Sequence, residues 1–146
     1  MTPRPYCQNL AITNDLSALP RVRALVQAGV QQGGFPAQDL NRLQIAVDEA
    51  VTNIVEHGYA DQPPGKATIE LALTVDGDAF RMVIEDYGQV FDPKAVGEVD
   101  IQHHVQTGNR GGLGVFLMRK IMDVIEYHAE TGHRNRLVLV KYRASA

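Results

Sequence analysis

Residues 48–58, Asp48-Glu49-Ala50-Val51-Thr52-Asn53-Ile54-Val55-Glu56-His57-Gly58, close the longest helical pattern in the sequence. Leu40, Leu43, Val47, Val51 and Ile54 recur at helical spacing, the stripe a helix buries against its neighbours. Glu49 and Asn53, four positions apart, stand about 40° apart around the helix and about 6 Å apart along its axis. A helical wheel puts them nearly opposite the apolar stripe. Such a pair is either two polar residues on a wet face or a proton acceptor beside an oxygen ligand for a hard cation. The surrounding segments decide between the two.

Upstream, residues 7–13 read as a first strand and hold the only cysteine, Cys7. Ser17 is placed to cap a helix whose first turn tolerates Pro20. Val22, Val26 and Val30 mark one face of that helix, and Gly33-Gly34 ends it. Pro36 suits the first position of the second helix. That helix should run to about His57, with Gly58 as a left-handed stop. Downstream, Ile69, Leu71, Leu73 and Val75 alternate with polar or small neighbours as in a half-buried strand. Asp76-Gly77-Asp78 turns the chain into a strand starting near Phe80. Residues 92–110 lack periodicity and read as a mobile loop. A helix from about Leu113 to Asp123 follows, then strands at Val124–Ala129 and Arg136–Arg143 joined by a turn at Thr131-Gly132-His133.

The order βααββ-loop-αββ predicts an α/β fold of the α+β kind. It is a two-layer sandwich with three helices on one face of a mixed, mostly antiparallel sheet. Successive hairpins argue against a doubly wound parallel fold. At 146 residues the chain reads as one domain, residues 1–146, large enough to bury about 68–70% of its unfolded surface. Hydrophobic content of 45% and charged content of 21% suit a soluble globular protein. A net charge of −3 without a basic run gives no footprint for direct nucleic-acid binding. A lone cysteine forms no internal disulfide, which fits a reducing cytoplasm. The N-terminal MTPRPYCQNL has no apolar core of signal-peptide length, and no run of apolar residues is long enough to span a membrane.

Two further segments carry chemistry. The strand of Phe80, Met82 and Ile84 runs into Asp86-Tyr87-Gly88. A glycine turn there lets backbone approach a flat ring, and a carboxylate accepts from an exocyclic amine. Gly111-Gly112-Leu113-Gly114 opens a helix, whose unpaired N–H groups and dipole favour phosphate. Arg110, beside these glycines, can clamp a terminal phosphate through its guanidinium. The sequence has no G-x-x-x-x-G-K-[ST] and so no P-loop. It also lacks the H-R-D and D-F-G elements of ordinary protein kinases. His103-His104, His128 and His133 show no metal-ligand spacing.

E-x-x-x-N, then D-x-G, then G-x-G before a helix: in that order the set resembles the GHKL ATP-binding superfamily, whose ATP-binding fold is of the Bergerat type. IAVDEAVTNIVEHGY at 45–59, FDP at 91–93 and GLGVFLMRKIMD at 112–123 are similar to the anti-sigma-factor serine/threonine kinases of bacterial partner switching. The resemblance covers roughly residues 8–143. It implies ATP and Mg²⁺ as cofactors, with Asp86 reading adenine and Gly88 admitting the ring. Gly112, Leu113, Gly114 and Arg110 would hold nucleotide, Asn53 would ligate Mg²⁺, and Glu49 would be the catalytic base. The chain departs from the commoner pattern at Val90, where a second glycine is usual, and Val90 would narrow or stiffen the pocket mouth.

The implied activity is phosphorylation of a serine or threonine on a protein antagonist, a STAS-type anti-anti-sigma factor. The implied target for sequestration is a sigma factor or similar regulator. The resemblance admits a homodimer. A competing reading is an ATP-dependent sequestering module with little or no kinase activity.

Overall fold

The computed structural model describes residues 4–90, 92, 113–129 and 134–144. In chain order these form β1 (Tyr6–Thr13), α1 (Leu19–Gly33), α2 (Leu40–Asn53), β2 (Thr68–Val75), β3 (Ala79–Asp86), α3 (Leu113–Ile121), β4 (Val124–Ala129) and β5 (Asn135–Tyr142). The strands make one sheet in the order β1-β2-β3-β5-β4. Every pairing among the described residues is antiparallel. The mostly antiparallel expectation therefore holds, with no parallel pair among those residues.

The β2 pattern follows its sequence: Ile69, Leu71, Leu73 and Val75 are buried, and the residues between them are exposed. On the same face lie Phe80, Met82 and Ile84 of β3 and Leu137 and Leu139 of β5. They pack with Val22 and Val26 of α1, Leu43, Val47 and Val51 of α2, and Val115 and Met118 of α3. The opposite face carries a smaller cluster, Val83, Val138 and Val140, with Val124 against it.

Local details correct the sequence reading at three helix ends. Asp15, not Ser17, is the capping residue: its carboxylate accepts from the Ser17 N–H at 2.9 Å and starts a 3₁₀ turn at Leu16–Ala18. Pro20 then sits in the first turn of α1 as expected, and Gly34 closes that helix at φ 77°. Before α2, a 3₁₀ turn at Ala37–Asp39 follows Pro36. The end of α2 is different from a glycine stop. From Ile54 to Gly58 the helix widens into a π turn, a form frequent at functional sites. Gly58 is absent from the positive-φ residues, so the chain leaves the helix without a left-handed residue there.

The remaining elements lie within one or two residues of their expected bounds. Asp76 accepts from the N–H groups of Asp78 and Ala79 at 2.8 and 2.9 Å, so its side chain builds the β2–β3 turn. Cys7 is exposed on β1, the edge strand. The 93–110 part of the expected loop, with Arg110, and the turn at Thr131-Gly132-His133 lie outside the described residues, as do Gly111 and Gly112.

Candidate nucleotide site

Glu49 and Asn53 are not on a wet face. Both are half-buried on α2, because α3 packs against that helix. Gly114 makes the approach close: a Cβ added there would fall inside the Glu49 carboxylate. Burial pushes the Glu49 carboxyl above its ordinary value, and the nearby charges of Asp48 and Glu56 add to the effect. Asn53 ends the regular part of α2, and its Nδ2 is buried with no hydrogen-bond partner among the described residues. An unpaired buried amide costs stability, so the site carries a polar group suited to a ligand. Its amide matches the donor set a triphosphate with a hard cation needs: an N–H for phosphate oxygen and a carbonyl oxygen for the cation.

The second half of the site lies where the π turn meets the end of β3. Asp86 is buried, 3% exposed. Its Oδ1 accepts from the Gly88 N–H at 2.9 Å and from Asn135 Nδ2 at 3.0 Å. Burial raises the Asp86 carboxyl, and the two hydrogen bonds oppose that rise. Tyr59, just past the π turn, is buried and accepts from the Tyr87 N–H through its hydroxyl at 2.8 Å. Gly58 accepts from the Gln89 N–H at 2.7 Å.

Gly88 has a reason to be glycine that is visible in the packing. A Cβ at 88 would strike the Gly58 carbonyl. The turn after β3 is thus pressed onto the end of α2, and α2 with its π turn links the two halves. From Glu49 to Gly58 is about 13 Å of helix axis.

Of the residues the sequence singled out, the structure brings Glu49 against Gly114 and Gly88 against the end of α2, bonds Asp86 to the Gly88 N–H, and leaves Asn53 one turn beyond Glu49 on α2. Leu113 opens α3. Sequence reasoning missed Asn135 and Tyr59. Tyr59 carried a weak signal, since a buried phenol needs a partner for its hydroxyl. Asn135 carried almost none, because it stood beside an apparent turn. His57 lies in the π turn and is exposed. Arg119 and Lys120 are exposed on α3, and the Lys120 ammonium lies 5.5 Å from the Phe116 ring centre. Val90 is exposed beyond the Gly88 turn.

Residues 12–141 match the histidine kinase-like ATPase domain family. The chain belongs to that family. It is an ATP-binding domain, with the Glu49–Asn53 helix and the Asp86 turn inside the matched span. Among curated relatives, a serine-protein kinase RsbW of Halalkalibacterium halodurans is 32% identical over 115 residues, covering 76% of this chain and 68% of the relative. A serine-protein kinase RsbW of Listeria monocytogenes is 30% identical over 139 residues, covering 90% of this chain and 86% of the relative. A crystal structure of the RsbU and RsbW domains of a Mycobacterium tuberculosis protein superposes with a TM-score of 0.57 at 22% identity. That match covers 94% of this chain but 34% of the other, and it bears on the fold alone.

Proposed function

We propose that the 146 residues act as one serine/threonine protein kinase domain of the anti-sigma type. It transfers the γ-phosphoryl group of ATP to a hydroxyl on a protein antagonist, a STAS-type anti-anti-sigma factor. It also sequesters a sigma factor or similar regulator, as partner switching requires. The observation that carries the kinase reading is the Glu49 carboxylate, half-buried, raised in pKa and seated on the first turn of α3. A pure sequestering module has no use for a carboxylate so poised. The relatives' name, serine-protein kinase, supports the same reading.

In this scheme Asp86 accepts from the exocyclic amine of adenine, on the turn that Gly88 holds against α2. Gly112, Leu113 and Gly114 would hold the phosphates, and Arg110 would clamp the terminal one. Asn53 would hold Mg²⁺ through its side-chain oxygen. Magnesium, when bound, neutralises charge on the triphosphate. Glu49 takes the proton from the substrate hydroxyl as its oxygen bonds the γ-phosphorus. The bond from that phosphorus to the β–γ bridging oxygen breaks, and ADP leaves. Alignment and charge neutralisation do most of the work, and the base adds about 10²–10⁴-fold.

No helix among the described residues is long and apolar enough to cross a membrane. The test is incubation with γ-labelled ATP and a candidate antagonist, followed by mass spectrometry of the antagonist. A labelled serine or threonine is expected. ATP binding with no label on any antagonist that binds would leave only the sequestering role and overturn the kinase reading.

A further inference from the structure

Asn135 is a buried residue, 2% exposed, at the start of β5. It is the direct cross-strand partner of Asp86. Its Nδ2 donates to Asp86 Oδ1 at 3.0 Å and to the Gly88 carbonyl at 2.9 Å. With the Gly88 N–H also on Oδ1, both donors that reach Asp86 among the described residues land on the same oxygen. The other oxygen, Oδ2, is left as the acceptor. We propose that Asn135 is a positioning residue that sets purine choice: by filling Oδ1 it fixes Oδ2 as an acceptor, selecting a 6-amino purine nucleotide over a 6-oxo one.

The chemistry follows from donors and acceptors. A 6-amino purine offers an N–H that an ionised carboxylate accepts, while a 6-oxo purine offers a carbonyl that only a protonated carboxyl can donate to. Discrimination therefore depends on Asp86 staying ionised in a buried place. Burial works against ionisation, and the Asn135 amide and the Gly88 N–H work for it. Facing Asp86 from the chain beyond α2 is the Tyr59 hydroxyl, and Tyr87 follows Asp86 itself. On β5 the facing residue is Asn135, and beyond it on β4 is Ala129. The Asn135 amide is thus the side-chain donor that holds the charge in place. The proposal rests on the adenine-reading role given to Asp86 above.

The test measures ATP and ITP affinity by calorimetry for the wild type, Asn135→Asp and Asn135→Ala, between about pH 6 and 8, with thermal melting as the folding control. Asn135→Asp keeps the shape but sets two carboxyls side by side, so one of them holds a proton. The wild type should prefer ATP, with a ratio that does not change with pH. In both variants the ATP:ITP ratio should fall about tenfold, mostly through weaker ATP. In Asn135→Asp the ratio should also become pH-dependent, recovering as pH rises. A wild-type ratio that itself shifts tenfold across this range overturns the proposal. Folded variants that lose ATP and ITP equally overturn it too, since Asn135 would then be only a strut. A wild type that binds ATP and ITP alike would instead sink the reading of Asp86 itself.

Discussion

The two ends of the site are built in opposite ways. At the Asp86 end every group named is already held: Asp86 by Gly88 and Asn135, Tyr87 by Tyr59, and Gln89 by Gly58. At the Glu49 end the polar groups wait. Asn53 has a buried amide nitrogen with no partner among the described residues, and Glu49 is raised by burial and by neighbouring acids. In the proposed scheme one end is preorganised for recognition, and the other is completed by what binds. Preorganised donors and acceptors lose little on binding. A carboxylate raised above its ordinary value is a stronger proton acceptor, which suits the base role proposed for Glu49.

The comparison breaks most sharply at Gly114. Gly114→Ala would push the Glu49 carboxylate off the first turn of α3. Misplacement of about 1 Å can cost roughly 10²-fold in rate, so phosphoryl transfer at saturating ATP should fall by about that factor. A wild-type transfer rate in that variant would show that the Glu49–Gly114 contact is incidental.

Asp86→Asn acts on the other end. Hydrogen bonds to charged groups are worth about 1.5–3 kcal/mol, so ATP affinity should weaken more than about tenfold by calorimetry. Stability should move the other way or stay level. Asp86 is raised in the folded protein, so in the window between its ordinary value of 3.8 and its raised one the folded state holds a proton that the unfolded chain has released. Stability from this group therefore falls as pH rises through that window. Above the window a neutral asparagine avoids the cost of a buried charge, and Asp86→Asn should melt no lower than the wild type. A melting temperature clearly below it would mean that the ion itself is structurally needed.

Glu49 gives a pH profile for transfer alone. Its carboxyl is raised above the ordinary 4.5, and only the ionised form accepts a proton. Transfer at saturating ATP should therefore decline as pH drops through that raised value and level off above it. A flat profile would argue against a carboxylate base.

Smaller effects are expected at Tyr59 and Arg23. Tyr59→Phe strands the Tyr87 N–H and should cost about 1 kcal/mol of stability, with severalfold weaker ATP binding. Arg23 pairs with Asp48 at 2.7 Å, but its side chain is half exposed. Such pairs are worth about 0.2–1 kcal/mol, so Arg23→Ala should shift melting slightly and leave ATP binding unchanged.

Much of this was legible in the sequence because it is local. The alternation of β2, the apolar stripe of α2 and the Asp86-Tyr87-Gly88 turn each sit within a few residues. What was missed is long-range. Asn135 faces Asp86 only because β5 pairs with β3 across an intervening helix and strand, and no turn between consecutive strands fixes that register. The wheel put Glu49 and Asn53 opposite the apolar stripe but could not show their partial burial, because α3 is invisible from α2 alone. The π turn was also hidden: its residues keep an apolar pattern that an ordinary helix shares, and tertiary contacts with the Gly88 turn accompany the widening.

The central claim is that binding and chemistry live at separate ends of one site. It is tested most directly by a double-mutant cycle on Glu49→Gln and Asp86→Asn. ATP affinity and the saturated rate of transfer to the protein antagonist are measured on all four proteins. Glu49→Gln should slow transfer about 10²-fold or more with ATP affinity kept, Asp86→Asn should weaken ATP with the saturated rate kept, and the double variant should show both losses added without coupling. A saturated rate that falls as far in Asp86→Asn as in Glu49→Gln, or an ATP affinity that falls equally in both, would contradict the account.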